Sequence, residues 1–402
     1  MKNKRLILLL LVLATLTGCS VQGQNSNKNA VQQSPETSTY LPVEQLWKGT
    51  SQPIQSLVGD IHSIEMKNAW VETAVPNGGI IVASSAENGD PNYPDGLYYV
   101  DANSAKATAL LTVDASKNEQ INQAAADRQW LVYEFGTDFG DQNTWSLYAY
   151  NFETKESYEI YTVPEDFLGE DEPSGLSVDG DQCIWSAFIE NKTSHNIISE
   201  IHDYNLANKT DSILFQAKTD LPSDSTITDT SDTYDYKKGI IYASSVGGGK
   251  VIFSVDDSVN PMDTSPAGDI YTLDLNTKQI SHMIHLYHAA NPICSYGDQV
   301  VLNDNYDPIP NSPQNGAPYP VYLYNEGDPC LYQLSPDKED YPPPSQNERF
   351  IAWKTSYVYD LKTETYYVLP NPDVETFSYI VGDYLTWANM KNGILYWAQL
   401  PN

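Results

Sequence analysis

Apolar residues along this chain fall into short runs of two alternating kinds. One kind is continuous: GGIIVASS, QWLVYEF, QCIWSAF, KVIFSV, QVVLND, RFIAW and YLTWAN are blocks of Val, Ile, Leu, Trp and Phe, too short for helices. Such blocks are the pattern of strands covered on both faces. The other kind alternates and ends in a polar turn. GDIYTLDLNTKQISHMIHL at 268–286, WSLYAYNFETKESYEIYTV from Trp145, ISEIHDYNLANKTDSILFQ from Ile198, TSYVYDLKTETYYVLP from Thr355 and DGLYYVDANSAKATALLTV from Asp95 share one layout. It is an aliphatic or aromatic pair, Asp or Asn, a short turn centred on Thr, Asn or Ser, and a second alternating stretch.

Two weaker copies, VYLYNEGDPCLYQL from Val321 and GILYWAQLPN from Gly393, fill the gaps, so that successive copies lie 35 to 69 residues apart. A continuous run precedes each. Together with earlier short strands such as SGLSV and FSYIV, the units read as four strands apiece. Repeats of this length and content predict an all-β chain folded as a β-propeller of four-stranded blades. The repeats favour seven blades, with six or eight as alternatives; the sixth is weakest, because YPPPSQNERF leaves little room for a first strand. The last copy stops after its third strand, while TSQPIQSLVGD at 50–60 is a strand without a blade of its own. An unclosed ring exposes strand edges, so an N-terminal strand is expected to complete the last blade and close the ring. Only NEQINQAAADRQW has the composition of a helical turn or two.

The repeated Asp or Asn (Asp101, Asn151, Asn205, Asp274, Asn325, Asp360) stands where each hairpin turn begins. Its side chain is expected to cap the turn's backbone amides rather than to catalyse. The IYxYDxxTxK-like repeats resemble the propellers of the TolB-like group and of related bacterial surface lipoproteins, over residues 45–402. That resemblance implies the fold and leaves function open, since one propeller shape hosts enzymes, scaffolds and sensors.

The N-terminus carries an address. Lys2, Lys4 and Arg5 precede an apolar run from Leu6 to Leu16, then Thr17-Gly18-Cys19. A positive flank, a short apolar core and small residues before a cut make an export signal too short to span a bilayer. Because Cys19 follows Gly18, residues 1–18 resemble a bacterial lipoprotein signal. The resemblance implies lipidation of Cys19 and stable membrane attachment, since several acyl chains hold where one does not. Residues 19–44, rich in Ser, Asn, Gln and Thr, bury too little to fold and read as a tether. The expected organisation is therefore signal peptide 1–18, lipidated tether 19–44 and propeller 45–402, on the extracytoplasmic face of the cell membrane.

Removing the signal leaves 19 basic against 53 acidic side chains, a formal charge of −34. So acidic a chain is repelled by nucleic acid, which leaves an envelope protein or a glycan as the expected partner, beside the membrane through the lipid anchor. The remaining cysteines, Cys183, Cys294 and Cys330, are odd in number and lie mostly in strand-like runs; no disulfide framework is expected.

Catalytic signatures are sparse. The mature chain has two arginines, Arg128 and Arg349, so a sialidase-type arginine triad is excluded. No Gly-x-Ser-x-Gly and no zinc spacing occurs. His282, His285 and His288 cluster, but on a strand His285 faces away from the other two. No cofactor is predicted. Ca²⁺ is the one metal for which Asp-rich stretches, at 224–239 and 304–308, offer oxygen ligands. Trp145, Tyr306, Tyr319 and Tyr341 fall at loop positions where an exposed ring could stack on sugars or prolines, and they are the candidate binding aromatics. The leading reading is a non-enzymatic, lipid-anchored binding or scaffold propeller. The alternative is a cell-surface glycan-binding protein, or a carbohydrate-active enzyme that uses channel carboxylates.

Overall fold

The structure, a computed structural model, describes residues 41–76, 78–85, 96–117, 119–137, 145–169, 173–193, 197–216, 240–256, 268–286, 293–303, 321–335, 344–353, 357–369, 376–389 and 392–402. Three short strands come first: β1 (Val43–Gln45), β2 (Gln52–Pro53) and β3 (His62–Glu65). The first sheet holds β4 (Ala69–Val75), β5 (Gly79–Ser84), β6 (Gly96–Asp101) and β7 (Ala107–Thr112). The second holds β8 (Glu119–Ala126), β9 (Trp130–Thr137), β10 (Trp145–Asn151) and β11 (Ser157–Thr162). In the third, a short β12 (Phe167–Gly169) joins β13 (Ser174–Asp179), β14 (Gln182–Asn191), β15 (Ile197–Asn205) and β16 (Thr210–Gln216). The fourth is β17 (Ile240–Gly247), β18 (Lys250–Asp256), β19 (Gly268–Asp274) and β20 (Ile280–Leu286). The fifth is β21 (Ile293–Tyr296), β22 (Gln299–Asn303), β23 (Val321–Asn325) and β24 (Leu331–Gln333). The sixth is β25 (Ser345–Gln346), β26 (Phe350–Trp353), β27 (Tyr357–Asp360) and β28 (Thr365–Val368). The seventh starts with β29 (Thr376–Val381), β30 (Tyr384–Asn389) and β31 (Ile394–Gln399).

Consecutive strands pair antiparallel within each sheet, except that β12 and β13 both pair with β14, and the innermost strands β4, β8, β13, β17, β21, β25 and β29 touch one another in turn all the way round, including β29 against β4. The result is a seven-bladed propeller. Its core is seven apolar clusters, one at each seam between neighbouring sheets. This layout explains the continuous apolar runs. In β5, Ile80 and Val82 point into the seam with the seventh sheet, whereas Ile81 and Ala83 point into the seam with the second. Both faces of a second strand are buried, so neither can be polar. The seam between last and first sheets is also tied by polar contact: Trp397 Nε1 donates to the Ala102 carbonyl at 3.0 Å.

The hairpins between third and fourth strands follow the expected chemistry. Asp101, Asn151 and Asp274 each accept bonds through Oδ1 from two successive backbone amides of the turn, at 2.7–3.2 Å. Four residues after Asp101, Asn151, Asn205, Asp274 and Asp360, the chain takes a left-handed φ of 51–64°, at Ala105, Lys155, Lys209, Lys278 and Glu364. A turn followed by one left-handed residue is a common way to close a hairpin on a twisted sheet. Asn325 differs: its Nδ2 donates to Asp328 Oδ2 at 2.6 Å, and Gly327 supplies the positive φ.

Two expectations are overturned. The strand placed within 50–60 is not the fourth strand of the last sheet. Gln52–Pro53 instead lie parallel to Tyr367–Val368 at the outer edge of the sixth sheet, and β1 likewise lies parallel to β24 on the fifth. His62–Glu65 form the antiparallel fourth strand beside β31. The segment from residue 43 to residue 65 thus runs as a strap over three outer edges, held by Trp47, whose ring meets Tyr357 and Tyr366 edge-on, and by Ile54, fully buried. The second concerns NEQINQAAADRQW. Residues 119–126 are the innermost strand β8, because small Ala124, Ala125 and Ala126 suit close packing against β9, and this outweighs alanine's helical preference. Among the described residues the only helical pieces are two 3₁₀ turns, at 54–56 and 115–117.

Candidate functional site

Trp145 is not an exposed platform. It opens β10 at 1% exposure, its ring lying 5.1 Å from that of Tyr161 within the seam between second and third sheets. An apolar indole at a strand's first residue is drawn into the nearest core rather than left in water. Tyr306, Tyr319, Tyr341 and Cys19 lie outside the described residues, as do the Asp-rich stretches at 224–239 and 304–308 and His288. His282 lies half-exposed on β20 and bonds Asp269 Oδ1 through Nε2 at 2.9 Å. Cys183, Cys294 and Cys330 are free thiols.

What the tertiary structure assembles instead is the wall of the central channel. Four consecutive innermost strands are bulged: β4 at Glu72, β8 at Asn122 and Gln123, β13 at Gly175 and Leu176, and β17 at Tyr242. A bulge breaks the side-chain alternation and re-aims what it carries. In the second sheet, Asn122 and Gln123 together oppose Glu134, which is fully buried. Their amides donate to its two oxygens at 3.3 and 3.1 Å, and Gln123 Nε2 also reaches the Pro173 carbonyl of the third sheet at 2.6 Å. In the first sheet, Trp70 Nε1 donates to Glu72 Oε1. Tyr379 on β29 lies beside them; burial, with the Glu72 carboxylate close by, pushes its hydroxyl above the usual tyrosine range. Gly175 has φ +64°, and a Cβ there would sit 2.3 Å from Ser244 Oγ, so only glycine allows the third and fourth blades to meet so closely.

Polar side chains stitch the innermost strands around much of the ring. Ser244 Oγ contacts Ser186 Oγ at 2.6 Å and Ser174 Oγ at 3.1 Å; Ser245 Oγ accepts from Ser295 N at 2.9 Å; Ser345 Oγ accepts from Ile380 N at 2.7 Å. None of the seven first strands contains Lys, Arg or His, whereas they contain Glu72, Glu119 and Asp179. Of these acids, Glu119 lies 3.9 Å from Lys117 Nζ at the strand's edge. Among the described residues no group of three or more His, Cys, Asp or Glu is placed to hold a metal ion.

Two clefts, of about 520 and 770 Å³, flank residues 400–402 on the face of the short turns. The larger is lined by Tyr296, Glu348, Arg349, Lys362 and Asp383. Arg349 is already engaged there, by Asp360 and by the Asn402 carbonyl.

Glu134 had a signal in the sequence, a lone acid inside the apolar run QWLVYEF. Glu72, Asn122 and Gln123 had none, because a bulge leaves no mark in the pattern.

No protein-family model matches the sequence, and no curated protein sequence matches it. Solved structures of similar fold include TolB from Acinetobacter baumannii, 13% identical at a TM-score of 0.38, over 76% of this chain and 59% of that one. An acylaminoacyl peptidase from Pyrococcus horikoshii is 11% identical at 0.46, over 67% of this chain and 42% of its own. The propeller domain of the Trilobed protease from Pyrococcus furiosus is 12% identical at 0.43, over 67% and 77%. This chain spans less than two thirds of the first two proteins, and at these identities the likeness is one of propeller fold alone.

Proposed function

We propose that this chain is a lipid-anchored, extracytoplasmic propeller of the cell membrane that acts as a binding or scaffold protein, receiving an envelope protein at one end of its channel. The leader ending in Gly18-Cys19 supports the location. The observation that carries the binding role is the bulged channel wall, where Glu72, Asn122, Gln123 and Glu134 gather on adjoining blades. Bulges on innermost strands cost ladder bonds, and they recur where a side chain must be re-aimed.

A second reading, a glycan-binding protein or a carbohydrate-active enzyme, is favoured by Glu72, a partly exposed carboxylate on an innermost strand, with Glu134 buried on the neighbouring sheet behind it. Incubating residues 41–402 with envelope glycans and following released reducing sugar separates the two. Turnover that disappears in Glu72→Gln or Glu134→Gln overturns the non-catalytic reading. No turnover, together with a cross-link to one envelope protein that the same substitutions weaken, supports it.

A further inference from the structure

His202, in the middle of β15, is a buried titratable group that the channel does not use. Its ring is 4% exposed, lies parallel to Trp185 at 4.8 Å, and receives the edge of Tyr161 from the neighbouring blade at 5.3 Å. Both nitrogens face acids. Nδ1 is hydrogen-bonded to Asp211 Oδ2 on the outermost strand β16 at 3.0 Å, whereas Nε2, buried and without a hydrogen-bond partner, lies 3.5 Å from Glu200 Oε2 on its own strand. Glu200 is steadied in turn by Gln216 Nε2, at 2.5 Å from its other oxygen. A neutral imidazole donates from one nitrogen only, whereas an imidazolium donates from both. Two carboxylates on opposite sides of one ring therefore match the charged form.

The other titratable groups around the ring are Tyr161 on β11, Cys183 on β14 and Tyr204 on β15, and all three are pushed up, mainly by burial, so that they stay neutral near neutral pH. The imidazolium is thus the positive charge that Glu200 and Asp211 share at this seam. Burial by itself would lower the histidine's proton affinity, but the bond to Asp211 and the nearby carboxylate of Glu200 outweigh it and leave the value raised. A group whose folded value is raised contributes stability fully below its unfolded value and loses it as pH rises through the folded one.

We propose that His202 is a proton-operated latch on the seam between the second and third blades. With its proton it ties β16, through Asp211, to the Trp185–His202–Tyr161 stack. When the proton leaves to solvent, Glu200 and Asp211 lose the positive charge that lay between them, and β16, whose first four residues are exposed, loosens first.

The test follows the imidazole by proton NMR across a pH series in the full propeller, and in parallel the amide exchange of residues 210–216, corrected for the chemical rate. The expected result is a histidine midpoint above the ordinary value and several-fold faster exchange of β16 above that midpoint, while β20, the outermost strand of the next blade, is unchanged. Asp211→Asn should lower the midpoint, and His202→Gln should flatten the pH dependence. If the second variant fails to fold, the first carries the test alone. A midpoint at or below the ordinary value, β16 protection that is flat across it, or equal loosening of β20 overturns the latch.

Discussion

Arg349 grips Asp360 with two parallel hydrogen bonds, Nε to Oδ1 at 2.9 Å and Nη2 to Oδ2 at 2.7 Å, while its third nitrogen reaches the Asn402 carbonyl at 2.6 Å. Asp360 is fully buried and also accepts from Lys362 N and Thr363 Oγ1, at 2.9 Å each, so one carboxylate caps its own hairpin and joins the sixth blade to residue 402.

Removing the guanidinium alone leaves a buried charge without its counter-ion. Arg349→Ala should cost about 2–4 kcal/mol, toward the lower end because the arginine is partly exposed. Arg349→Lys should recover only part of it, for a lysine has no fork. A double variant, Arg349→Met with Asp360→Asn, that unfolds in denaturant no later than Arg349→Ala would contradict this account.

The same carboxylate predicts acid sensitivity. Burial raises its proton affinity, but Arg349, Thr363 and the Lys362 amide lower it further than burial raises it. A depressed folded value gives stability that is present above the unfolded value and lost as pH falls through the folded one. Between pH of about 5 and about 2, wild-type unfolding free energy should therefore drop more steeply than that of Asp360→Asn; parallel curves would assign the loss to other acids.

The strap predicts graded truncation. A chain starting at residue 41 should melt like a longer one. Starting at 61 removes β1, β2, Trp47 and Ile54 and should lower the melting temperature; starting at 67 also removes β3 and bares the edge of β31, so that the protein aggregates. Ile54→Ala by itself should cost about 2–4 kcal/mol, as a large-to-small change in a closed core. Equal melting of the chains from 41 and from 61 would deny the strap any role in stability.

Two substitutions in one hairpin should act in opposite directions. Asn151→Ala removes the acceptor for Glu153 N and Thr154 N and should destabilise by about 1 kcal/mol. Lys155→Gly relieves a side chain held at φ 64°, and its gain, at most about 1 kcal/mol, is trimmed by the glycine's looser unfolded chain. Chemical denaturation of both variants checks the pair, and a destabilised Lys155→Gly would sink the prediction.

Hairpins such as 145–162 were readable because their causes are local: Asn151 bonds amides two and three residues on, and a left-handed residue follows at a set offset. Runs such as GGIIVASS were readable because burial on both faces forbids polar residues, and the recurrence of both signals was enough for a propeller of seven blades. Pairing between distant residues left no such trace. Gln52–Pro53 beside Tyr367–Val368 is too short a strand to carry a period, and Trp145 looks alike whether its ring faces water or Tyr161. Ala124–Ala126 favour a helix until β9 offers them a ladder. The channel wall is the extreme case, because Glu72 and Asn122 reach neighbouring innermost strands only once the first two sheets have packed and a bulge has turned each of them from its strand's alternation. Capping, turning and burial act within a few residues and are written in order along the chain; seams, straps and bulges depend on which strands become neighbours, and that is decided by packing the whole ring.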